Sequence, residues 1–130
     1  MRDSRGQFFE EIDALAVGPK DHVALLVKGN YERRVQFHDG DGAFLQELTL
    51  PWMPDSPHTI TSFAWRDPWV LIGGRWRTAL LISLRDGSIH GIEAPLPIRG
   101  PMAWTLSPDG REVWCARAEP LSVLRFALPD

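Results

Sequence analysis

Cysteine occurs once in the 130 residues. An internal disulfide is therefore impossible, and one thiol cannot supply the paired-cysteine ligand set of a structural zinc site. Cys115 lies in the apolar run Val113-Trp114-Cys115-Ala116, where a thiol behaves as a small buried hydrophobe. Basic excess is also lacking: Lys and Arg number 14 against 17 Asp and Glu, a net charge of −3. Non-specific nucleic-acid binding needs the opposite balance, so no nucleic-acid partner is expected. Uncharged apolar runs are too short to cross a bilayer, and Met1–Glu11 is interrupted by charge where a secretory signal would be apolar. No membrane partner is expected, and a cytoplasmic location is the default.

Helical periodicity is missing as well. The best helix candidate, Glu32 to Leu48, is broken by Asp39-Gly40-Asp41-Gly42. That aspartate-glycine run is no calcium loop, because Ala43, Phe44 and Leu50 stand where a ligand, a glycine and a glutamate are required. No nucleophile elbow, phosphate loop or dinucleotide fingerprint occurs. His22, His38, His58 and His90 show no paired ligand spacing, and Ser88 and His90 share a strand face with no orienting acid. No metal, cofactor or catalytic residue is assigned, and the chain is expected not to be an enzyme.

What the chain has is short β-like runs separated by Gly, Pro and Asp, the pattern of an all-β protein. Asp21, Asp39, Asp41, Asp67, Asp86 and Asp109 all fall in expected turns, where aspartate side chains bond nearby backbone amides. Asp41-Gly42 and Asp86-Gly87 read as hairpin turns in which both residues take positive φ. The stretch Ala14-Leu15-Ala16-Val17-Gly18-Pro19-Lys20-Asp21-His22-Val23-Ala24-Leu25-Leu26 aligns without a gap on Ala103-Trp104-Thr105-Leu106-Ser107-Pro108-Asp109-Gly110-Arg111-Glu112-Val113-Trp114-Cys115. Such self-similarity signals repeats.

Grouped in fours, the expected strands are Ala14–Val17, Val23–Val27, Arg34–Phe37 and Ala43–Leu50, then Thr59–Trp65, Trp69–Gly73, Ala79–Leu84 and Ser88–Glu93. The third group has Met102–Leu106, Glu112–Ala116 and Leu121–Leu128; the N-terminal strand Gln7–Ile12 is expected to supply its fourth. First and second strands are nearly continuous apolar runs, which predicts burial on both faces. Trp65 and Trp104 each follow an alanine in a first strand and are expected at equivalent core positions, with Trp114 also in the core.

The turn Ser107-Pro108-Asp109-Gly110-Arg111, leading into Val113-Trp114-Cys115-Ala116 within such four-strand units, resembles blades of WD-repeat-like β-propellers. The Gly-His opening and Trp-Asp ending of true WD repeats are absent. The resemblance implies a single β-propeller-like domain over residues 1–130, with three four-stranded antiparallel blades near 13–50, 58–96 and 101–128 plus the N-terminal strand 7–12. A β-sandwich, or a fragment of a larger protein, is the alternative. Three blades leave two blade flanks open, so a homodimer closing a six-bladed ring is the favoured assembly.

In propellers the loops between second and third strands, and those between blades, emerge on one side. Here they carry Lys28, Arg33, Arg34, Arg75, Arg77, Arg99 and Arg117 against Glu32, Asp55 and Glu119, together with Tyr31, Trp52 and Trp76. Arginine and aromatic side chains dominate recognition surfaces. Tyr31, Arg33, Trp52, Arg75, Trp76, Arg77, Arg99 and Arg117 are accordingly the expected binding residues. The expected function is a non-enzymatic protein–protein interaction or scaffold module with an unknown protein partner. A lectin-like oligomeric propeller that binds carbohydrate is the alternative.

Overall fold

The computed structural model describes residues 11–29, 32–50, 60–74, 78–94, 99–119 and 121–129, and only the backbone of 99–101, 118 and 119. Eleven strands and no α-helix occur among them. They run β1 Glu11–Val17, β2 Val23–Lys28, β3 Arg33–His38, β4 Phe44–Leu50, β5 Ile60–Arg66, β6 Trp69–Gly74, β7 Thr78–Ser83, β8 Ile89–Glu93, β9 Arg99–Leu106, β10 Glu112–Glu119 and β11 Leu121–Ala127. All are antiparallel to their neighbours and form three sheets ordered β1-β2-β3-β4, β5-β6-β7-β8 and β9-β10-β11. The eleven strands expected between Ala14 and Leu128 are present, with ends displaced by a few residues. Glu11 and Ile12, given by the sequence to the fourth strand of the third group, instead open β1 and pair with Lys28 and Val27. Residues 7–10 lie outside the described residues.

The chain divides into two compact bodies, Met1–Pro54 and Asp55–Asp130. In the first body, one face of the first sheet carries the buried residues Ala16, Ala24, Leu26, Val35, Phe37 and Leu50. In the second body, the second and third sheets pack face to face. Trp69, Leu71, Ala79 and Leu81 from the second meet Met102, Trp104, Leu106, Val113 and Cys115 from the third in one apolar cluster. Every residue of β6 and β7 is buried except half-buried Thr78. Burial on both faces thus belongs to the second and third strands of this sheet. The first strands β1 and β5 are only partly covered.

A close approach fixes how the two sheets meet. A Cβ added at Gly73 on β6 would lie 2.7 Å from Trp104 Cβ and 2.9 Å from Ser62 Cβ, so only glycine admits the tryptophan there. Ser62 Oγ also accepts the backbone N–H of Trp104 at 3.1 Å. Trp65 and Trp104 are both buried, as their shared pattern predicts, and so is Trp69. Trp114 departs from its expected core place. It is half-buried, donates its indole N–H to Glu112 Oε1 at 3.0 Å and lies under the Arg125 guanidinium at 5.0 Å.

The turns show why the self-alignment needs one gap. In β1–β2, Gly18 N–H bonds His22 O at 2.8 Å, with Lys20 and Asp21 at φ 57 and 60. In β9–β10, Ser107 N–H reaches Glu112 O, one residue further, with Gly110 at φ 72. Leu15 therefore pairs with Leu25, whereas Trp104 pairs with Cys115. The Asp-Gly hairpins differ from expectation too: Gly42 and Gly87 take positive φ, but Asp41 and Asp86 do not. Asp39 Oδ1 instead accepts the N–H groups of Asp41 and Ala43, each at 2.9 Å, and the longer loop opens a register shift in β3–β4.

Candidate functional site: two exposed sheet faces

Side chains alternate across a strand, and directly paired residues share a face. On the first sheet this places Ile12, Leu15 and Val17 of β1 beside Val23, Leu25 and Val27 of β2, opposite the first buried face. Val27 is itself buried and Val23 and Leu25 are half-buried, so the exposed apolar surface is the β1 side of this face. Leu15 is 58% exposed and Val17 55%, values that stand out for large apolar residues inside a regular strand. Farther across the same face the chemistry turns polar. Glu47 Oε2 accepts Gln36 Nε2–H at 2.8 Å and lies 3.4 Å from Arg34, while His38 meets the Phe44 ring edge-on.

The third sheet has a second such face. Opposite its buried residues it presents Ala103 and Thr105 of β9, Trp114 and Ala116 of β10, and Leu121, Val123 and Arg125 of β11. Val123 is 58% exposed. β11 is the outermost described strand of this sheet, so its outward amide and carbonyl groups have no described ladder partner.

Of the binding residues expected from sequence, Tyr31, Trp52, Arg75, Trp76 and Arg77 lie outside the described residues, as does the Arg99 side chain. Arg99 itself opens β9. The other two sit in strands rather than loop tips. Arg33 of β3 lies 3.4 Å from Asp13 and Arg117 of β10 donates Nε–H to Ser122 Oγ at 2.7 Å. Both guanidinium groups brace the sheets that carry them. The sequence reading expects two open blade flanks but names no residue on them, because β1 and β11 resemble core strands until neighbours are assigned.

The turn aspartates bond backbone amides. Asp86 Oδ1 accepts Ser88 N–H at 2.9 Å, and Asp109 Oδ1 accepts Arg111 N–H at 3.0 Å and Ser107 O–H at 2.7 Å. The Ser107 hydroxyl holds the Asp109 carboxyl below its ordinary range, with the Arg111 amide adding to the effect; Ser88 does the same for Asp86. Ser88 Oγ and His90 Nε2 are 3.0 Å apart, but Asp86 bonds the serine rather than the far ring nitrogen, unlike a relay that orients a base. Asp67 and Asp109 are brought together at an open cleft of about 700 Å³, where Arg85, Arg111 and Glu112 also lie. Its mixed charges leave no single-sign field. Among the described residues, no group of three or more His, Cys, Asp or Glu could hold a metal, and no helix is long and apolar enough to cross a membrane.

The chain matches no protein-family model and no curated protein. The resemblance to WD-repeat-like blades therefore rests on the turn and strand pattern alone.

Proposed function

We propose that the chain is a non-enzymatic protein-interaction module of β-propeller-like type, and that its first partner is a second copy of itself. The apolar stripe Ile12, Leu15 and Val17 on an ordered strand carries this reading. Leaving such side chains in water forfeits roughly 1.5–3 kcal/mol each, which association recovers. The two-copy ring expected from the blade count supplies a cover for them. The sequence Arg75-Trp76-Arg77 is a further recognition element within this proposal, its chemistry suited to an acidic protein segment.

Linkage supplies a direct test. If folding is coupled to association, the thermal midpoint rises with chain concentration. A tenfold dilution series is expected to lower it progressively. A midpoint that does not move across that series refutes association coupled to folding.

A further inference from the structure

Resting on the self-association just proposed, we infer which surfaces meet: the exposed face of the first sheet in one copy covers the exposed face of the third sheet in the other. Both contacts form between the same two chains.

The packing inside the second body is the template. There the third sheet lays Trp104 and Leu106, each only 3% exposed, onto the second sheet. The repeat alignment equates Trp104 with Leu15 and Leu106 with Val17. Both are exposed on β1, on the same face as Ile12. Equating Ala64-Trp65 with Ala103-Trp104 extends the match to the other side of the contact. Ala64 and Leu71 are register partners on the second sheet's covered face, and both pack in the apolar cluster. Their counterparts, Ala103 and Ala116, are register partners on the third sheet's exposed face. One chain thus holds both halves of an interface it already makes once, each half uncovered. The first sheet offers large side chains where the third offers small ones, the complementarity that Trp104 and Gly73 show internally.

Footprint favours closure between two copies over a chain of copies. Three strands of seven residues, at about 4.8 Å spacing and about 3.3 Å rise, cover roughly 330 Å². One contact, counting both sides, buries about 660 Å², below the roughly 1,200 Å² of a stable specific interface. Two contacts between the same pair reach about 1,300 Å².

The test places one cysteine on each face, Leu15→Cys and Ala103→Cys, singly and together. Packed sheets stand about 10 Å apart, too far for a disulfide but within reach of a short bis-maleimide. The native Cys115 is buried, so it does not compete. Covalent dimer from the double variant, at least tenfold above either single variant, is the expected result. A Leu15→Cys or Ala103→Cys variant that cross-links to itself overturns the pairing of faces while leaving self-association standing. A double variant with the mass of a dimer but no cross-link overturns the pairing likewise. Wild-type chain at monomer mass overturns both readings.

Discussion

Ser107 shows how much one hydroxyl can organise. Buried in the β9–β10 turn, it accepts N–H groups of Arg111 at 3.2 Å and Glu112 at 3.0 Å while donating to Asp109 at 2.7 Å. Ser107→Ala leaves the Glu112 amide without its side-chain acceptor and the Arg111 amide with Asp109 alone, and is expected to cost about 1–2 kcal/mol in urea unfolding. Asp109 adds a pH dependence. Its folded pKa lies below its unfolded one, so its contribution is complete above the unfolded value and is lost as pH falls through the folded value. Asp109→Asn is expected to flatten the acid limb of the stability curve, and an unchanged limb assigns that limb to other carboxylates. Burial pushes the Cys115 thiol up to about 11, with the Arg117 charge pulling weakly the other way. At neutral pH a thiol reagent is therefore expected to modify Cys115 only as fast as the protein unfolds. Rapid labelling of the folded chain contradicts the packing of β10.

At the scale of elements, strands and their order were legible because Gly, Pro and Asp punctuate the apolar runs so regularly. Turn geometry was not legible. An ungapped alignment cannot register that the Gly18 turn closes one residue earlier than the Ser107 turn, since only the backbone bonds count that residue. Trp114 was misplaced for a related reason. Alternation along β10 puts it on the face away from Val113 and Cys115, but a run of apolar residues hides the alternation. The candidate faces were implied by the strand count, while the individual residues became visible only once the pairings were known. Gly73 gives this level its test. Gly73→Ala places a methyl within the contact distance of Trp104 and Ser62, and overpacking of this kind is expected to cost about 1–3 kcal/mol. A neutral Gly73→Ala variant means that β6 and β9 do not approach as closely as described.

For the molecule as a whole, the imbalance lies between well-covered and bare sheet faces. The second sheet buries β6 and β7 on both sides, whereas the first leaves Ile12, Leu15 and Val17 of β1 open to water and the third leaves Leu121 and Val123 of β11 open. In the proposed pairing a second copy would cover both at once, using a contact of the kind the second and third sheets make internally. Sedimentation equilibrium of the wild-type chain at micromolar concentration measures this most directly. The expected mass is twice the 14.7 kDa of one chain, falling to one chain with Leu15→Asp. A stable mass of 14.7 kDa at every concentration, with the β-sheet spectrum intact, contradicts it.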